Sequence, residues 1–152
     1  MYATVLVATD GSDCAAAAAT HAIDLAARYD AALHALFVVD QRFPAASEFD
    51  QVVERLEATG EAALESIEDE AAGRGVEVDL ALRRGTPYEE ILGYVEHNGV
   101  DVVFVGTKGR NPIERFVHAG STTERVIRRT RVPVVAVPLP AAEREGGDDA
   151  TS

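Results

Sequence analysis

Tryptophan is absent from this 152-residue sequence, and cysteine, methionine and lysine occur once each. The lone Cys14 excludes an internal disulfide framework and fits a reducing compartment, so the expected location is the cytoplasm. It sits in an alanine-rich run, where a small core residue is a better reading than a nucleophile. Four histidines, His21, His34, His97 and His118, are scattered without ligand spacing, which removes a zinc site. No apolar run approaches the ~20 residues that a membrane helix needs. Met1 to Val5 has neither a basic flank nor an apolar h-region, so no signal peptide is expected. Three motifs are missing as well. There is no Gly-x4-Gly-Lys-[Ser/Thr] loop, no Gly-x-Gly-x-x-Gly after the first strand, and no Gly-x-Ser-x-Gly elbow.

Positive charge is scarce: 14 bases stand against 26 acids, for a net charge of −12. An acidic, alanine-rich chain with a single lysine, Lys108, has the composition of a protein from a high-salt cytoplasm, a halophilic reading of habitat rather than function. General nucleic-acid binding is not expected from such a surface. The bases are unevenly placed. Lys108, Arg110, Arg115, Arg125, Arg128, Arg129 and Arg131 face only Glu114 and Glu124 within residues 108–131, so that segment carries +5 and the remainder −17. An anionic ligand would account for this island. A helix whose C-terminal arginines complement its dipole and cover the sheet would account for Arg128, Arg129 and Arg131, but less well for Lys108 and Arg110.

Hydrophobic residues make up 47% of the chain, enough for one domain with a single core, expected over residues 1–140. Apolar runs at 3–9, 32–39, 76–82, 101–106 and 133–137 read as strands. Helical patterns lie between them at 13–29, 50–73, 86–98 and 122–129, with a short helical piece near Ile113, Phe116 and Val117. Thr86-Pro87-Tyr88-Glu89 and Ser121-Thr122-Thr123-Glu124 have the form of capping boxes. Gly73 and Gly75 end the long helix, and Gly99 ends the next. Residues 141–152 are polar and acidic with Gly146-Gly147 and no core residue, and are expected to be a disordered tail. Strands alternating with helices predict an α/β fold. It is a doubly wound, five-stranded parallel sheet of Rossmann-like nucleotide-binding type, with strand order 3-2-1-4-5. Ligands of such sheets bind beyond the carboxyl ends of the strands where the order reverses, here between strands one and four. Thr9 to Ser12 and Gly106 to Arg110 would meet there.

The stretch from Gly106 to Ser121 follows strand four and opens a helix, a layout that can cradle phosphates. Glycine lets a backbone approach an anion, and a helix start offers unpaired N–H groups. An ordinary strand-to-helix loop with structural glycines is the competing reading.

Ala8-Thr9-Asp10-Gly11-Ser12, Phe37-Val38-Val39-Asp40, Gly85-Thr86-Pro87, and Gly120-Ser121-Thr122-Thr123-Glu124-Arg125-Val126-Ile127 followed by Val132-Pro133-Val134-Val135-Ala136-Val137 are separated segments that agree in order and spacing. Together they resemble the universal stress protein family. The resemblance spans residues 2 to about 138. It implies a stress-response regulatory protein that binds ATP or AMP and forms a homodimer through strand Pro133 to Val137. The nucleotide-binding residues it implies are Ala8, Thr9, Asp10, Val38, Gly106, Lys108, Gly109, Arg110, Gly120, Ser121 and Thr122. Asp10 would accept from the ribose hydroxyls, or else cap the first helix together with Ser12. Val38 would offer backbone groups to the adenine edge, or simply belong to the core. The glycines and Ser121 would surround the phosphates, and Ser121 would serve equally as a helix cap. Lys108 and Arg110 would screen phosphate charge or be solvated. Mg2+ or Mn2+ would be held mainly by the phosphates, because few carboxylates converge.

The ATP-binding branch of the family carries Gly-x2-Gly-x9-Gly-[Ser/Thr]. Here ten residues separate Gly109 from Gly120, and Ala119 stands where the third glycine is expected. A one-residue bulge at Asn111-Pro112 would return Gly120 and Ser121 to the phosphates. A shifted loop would instead bring the Cβ of Ala119 to the contact point. No general base is evident, so at most slow ATP hydrolysis is expected. The alternative function is a dimeric interaction module of the same fold that binds no nucleotide. An adenylating enzyme ranks last, because the chain has no room for a substrate domain.

Overall fold

A computed structural model describes residues 2–41, 49–107 and 121–139. Among the described residues nine elements follow one another: β1 (Thr4–Thr9), α1 (Asp13–Tyr29), β2 (Ala32–Asp40), α2 (Phe49–Gly73), β3 (Val78–Gly85), α3 (Pro87–Asn98), β4 (Val102–Gly106), α4 (Ser121–Arg129) and β5 (Val134–Val137). The five strands form one parallel sheet in the order β3-β2-β1-β4-β5, as expected for a doubly wound domain. The short helical piece near Ile113 and the tail at 141–152 lie outside the described residues.

Strand alternation divides the interior into two cores. Val5 and Val7 of β1, with Leu33, Ala35 and Phe37 of β2, pack against Ala18, Ala22 and Ile23 of α1 and Leu64 and Ile67 of α2. Leu6, Leu36, Val103 and Val105 face the other way, against Ile91, Tyr94 and Val95 of α3 and Val126 of α4. Successive side chains of a strand point to opposite faces, so an unbroken apolar run is what a sheet covered on both sides requires. The alanines of α1 let that helix approach the sheet closely. His34 is placed in the second core with partners: Nδ1 lies 2.6 Å from the Tyr94 hydroxyl and Nε2 lies 3.7 Å from Asp79. Burial pushes the Tyr94 phenol above its ordinary pKa, Arg83 acts against this, and Asp79 adds to it.

Several boundaries and caps differ from the expectation. The third strand runs Val78–Gly85 rather than 76–82. Val76 is used by the end of α2: its N–H donates to the Ala71 carbonyl while Gly75, at φ +70°, donates to that of Ala72. This paired closure takes Val76 out of the ladder. Arg83 and Arg84 instead extend the strand, opposite Val38 and Val39. Their charge is tolerated because β3 is a sheet edge with solvent beside it. At the other edge Pro133 joins the ladder only through its carbonyl, which accepts from Val103 N–H at 3.0 Å. Thr86 precedes α3 in extended conformation without a side-chain cap, so that helix starts on Pro87 and not on a closed capping box. In the second expected box, Glu124 Oε1 accepts from Arg128 at 2.6 Å, and Thr123 bonds to β4.

Candidate functional site

The chain winds from β1 outward through β2 to β3, then returns to place β4 on the other side of β1. A crevice therefore opens at the carboxyl ends of β1 and β4. Register fixes what meets there. Val7 pairs with Phe104, so two residues further on Thr9 stands beside Gly106. Thr9 pairs with Phe37, so Asp10 and Val38 follow next on neighbouring chains.

The turn after β1 is braced by its own side chains. Thr9 is buried, and its hydroxyl accepts from Gly11 N–H at 3.1 Å. Asp10 Oδ1 accepts from Ser12 N–H at 2.9 Å, an Asx turn. Ser12 is the N-cap of α1, its Oγ accepting from Ala15 N–H at 3.2 Å. Asp10 thus shapes the turn while Ser12 caps the helix, which divides the capping role between them. The Asp10 carboxyl is half-exposed at the mouth of the crevice.

Gly106 is where two helix starts converge. A Cβ at this position would lie 2.7 Å from Cys14 Cβ and 2.9 Å from both Cys14 C and Ala15 N. The first turn of α1 is therefore seated directly on the end of β4. From the other side, Thr123 in the first turn of α4 donates from Oγ1 to the Gly106 carbonyl at 2.9 Å. Thr107 continues the strand with its N–H on the Val137 carbonyl, 2.9 Å away. Cys14 is buried against this junction, as the reading of a small core residue expects. Helix starts carry partial positive charge, and two of them meet at this one strand end.

Of the other expected site residues, Ala8 and Val38 are half-buried in the α3-side core, so only their backbone groups face the strand ends. Thr122 is half-buried in the first turn of α4, which begins at Ser121. Lys108, Gly109, Arg110 and Gly120 lie outside the described residues, as do Ala119 and the proposed bulge at Asn111-Pro112. The arginines of α4 have partners within the chain. Arg125 and Arg129 lie over the Tyr88 ring at 5.1 and 5.0 Å from its centroid, and Arg128 pairs with Glu124. The two Tyr88 contacts fasten α4 to α3, whereas the Arg128 pair lies within α4. Thr123 was not among the expected site residues. The available signal was its spacing from Val126, three residues on and fully buried, which puts both on the inner face.

Among the described residues no group of three His, Cys, Asp or Glu side chains could hold a metal, and no helix is long and apolar enough to cross a membrane. A cavity of about 120 Å³ lies on the other side of the Thr9–Ser12 turn, between Ala16 and Ala19 of α1 and Ala63 and Ser66 of α2. It is well below the ~300 Å³ at which ligand pockets begin.

The universal stress protein family model matches residues 1–138. A universal stress protein of Methanocaldococcus jannaschii is 34% identical over 147 residues, covering 94% of this chain and 86% of the relative. The structure of universal stress protein UspA from Lactobacillus plantarum superposes with a TM-score of 0.78 at 31% identity, over 90% of this chain and 97% of that one. A universal stress protein solved in complex with cAMP gives a TM-score of 0.70 at 25% identity, over 91% and 98% of the two chains.

Proposed function

The chain belongs to the universal stress protein family, and from that premise we propose that it is a stress-response regulatory protein that binds an adenine nucleotide, ATP or AMP, in the crevice between β1 and β4. The observation that carries this reading is the convergence of the α1 and α4 starts on Gly106, with the Asp10 carboxyl at the mouth of the same crevice. Asp10 is suited to accept from ribose hydroxyls while its Oδ1 also braces the turn. Backbone groups near Val38 are suited to the adenine edge. The first turn of α4 from Ser121, with Gly106, Lys108, Gly109, Arg110 and Gly120, would receive the phosphates. Mg2+ or Mn2+ would come with the phosphates. A related structure with cAMP bound supports the ligand class. Isothermal calorimetry with ATP at high salt tests the proposal. Saturable heat together with a raised melting temperature is expected, and no heat and no melting shift at roughly millimolar ATP overturns it.

Dimerisation through β5 is part of the same proposal, and the two sheet edges support it by contrast. Along the β3 edge Asp79, Arg83 and Arg84 are exposed beside a single exposed apolar residue, Leu80, and charges of both signs discourage edge pairing. The β5 edge exposes Val135 and Ala136, and Ile127 of α4 is also half-exposed. An apolar edge is the one expected to be covered by a second copy. The ten-residue spacer and Ala119 favour a second reading, a dimeric interaction module that binds no nucleotide. That module would still dimerise but would give no heat with ATP.

A further inference from the structure

We infer that Thr123 is a positioning residue of the nucleotide site, setting where the first turn of α4 stands relative to β4; this rests on the nucleotide-binding reading above. Thr123 is one of two buried polar residues among the described ones, at 6% exposure. Its hydroxyl bonds 17 residues back along the chain, to the Gly106 carbonyl at 2.9 Å. That carbonyl is the last of β4, so the bond extends the strand into the helix start. Val126 is buried one turn on, whereas Arg125 and Arg129 grip Tyr88 further along the helix. A helix held at its middle and far end can still pivot at its start. The Thr123 bond removes that freedom and presets the reach of the N–H groups of that turn. Groups preset before binding cost less to order when an anion arrives. Adenosine, which lacks phosphates, would not depend on this turn.

Calorimetry of full-length wild type, Thr123→Val and Thr123→Ser with ATP and with adenosine tests the inference. Valine keeps the shape and removes the donor, whereas serine restores it. The expected result is an ATP affinity about tenfold weaker in Thr123→Val, the effect of one lost hydrogen bond, with adenosine affinity unchanged and serine recovering wild-type binding. Unchanged ATP binding in Thr123→Val overturns the inference and leaves the nucleotide reading standing. Equal loss of ATP and adenosine, not recovered by serine, shows a general structural role and also overturns it. If wild type binds neither compound, the nucleotide reading itself fails and the inference falls with it.

Discussion

Replacing Gly106 with alanine separates the two reasons a glycine can stand at the end of β4. Were Gly106 required only so that a phosphate can approach, Gly106→Ala would leave the unliganded protein untouched or slightly stabilise it. Losing glycine restricts the unfolded chain and contributes about 0.4–1 kcal/mol. The structure indicates the opposite sign. The new Cβ would meet Cys14 Cβ at 2.7 Å and Cys14 C and Ala15 N at 2.9 Å, distances that real Cβ atoms essentially never show. Two of those three atoms are backbone, so no rotamer change at Cys14 makes room, and α1 must shift away from the sheet. Overpacking of this kind costs about 1–3 kcal/mol, so after the entropic gain of about 0.4–1 kcal/mol the net loss reaches about 2.6 kcal/mol and is centred on about 1.3 kcal/mol. For a domain of this size that lowers the melting temperature by up to roughly 10 °C, with roughly 3–5 °C as the central expectation. Thermal denaturation without nucleotide, at one fixed salt concentration, is the assay. A variant that melts at or above the wild-type temperature would refute the seating of α1 on Gly106.

Three further outcomes are expected. Asp10→Asn keeps the shape and the turn-bracing oxygen but loses the carboxylate charge, so nucleotide affinity should fall about tenfold to a hundredfold in calorimetry with little change in melting temperature. Unchanged affinity would remove Asp10 from the site. Val135→Lys places a charge on the exposed β5 edge and should convert the proposed dimer to monomer by light scattering at high salt; a wild type that is already monomeric contradicts the edge assignment. The bonds from Arg28 and then Arg74 hold the Asp24 carboxyl below its ordinary pKa. A depressed carboxylate stabilises the fold above its unfolded pKa, and that contribution is lost as pH falls through the folded value. Wild type should therefore exceed Asp24→Asn in stability at neutral pH, with the gap closing in acid. Because the carboxyl is exposed the gap should be small and shrink with salt, and a gap that persists at pH 2 argues against the ion pairs.

The parallel sheet was legible because each apolar run is followed by a helical pattern; that alternation is shared by several strand orders, so the order 3-2-1-4-5 rested on the doubly wound, Rossmann-like assignment. Helix ends were legible where glycine marks them, as at Gly99. Misjudged boundaries came from tertiary demands on single groups. Val76 looks like strand but its N–H closes α2, and Arg83 and Arg84 look like loop but lie in an edge strand. In the site, the place of Asp10 followed from its position after the first strand. The roles of its neighbours did not, because a sequence does not say which partner a hydroxyl will find. Thr9 turned inward to Gly11, Ser12 took the cap, and Thr123 reached across to Gly106. The basic island read as an anion site also contains a structural part, in which Tyr88 receives Arg125 and Arg129. No one-dimensional pattern links Tyr88 to residues 37 and 41 positions later.

A crystal structure of the full-length protein grown with ATP tests the central proposal most directly. The predicted result is density for the nucleotide in the β1–β4 crevice, with ribose oxygens on Asp10, adenine beside the end of β2, and phosphates at the start of α4. Nucleotide density elsewhere, or an empty crevice at saturating ATP with α4 still anchored by Thr123, would contradict it.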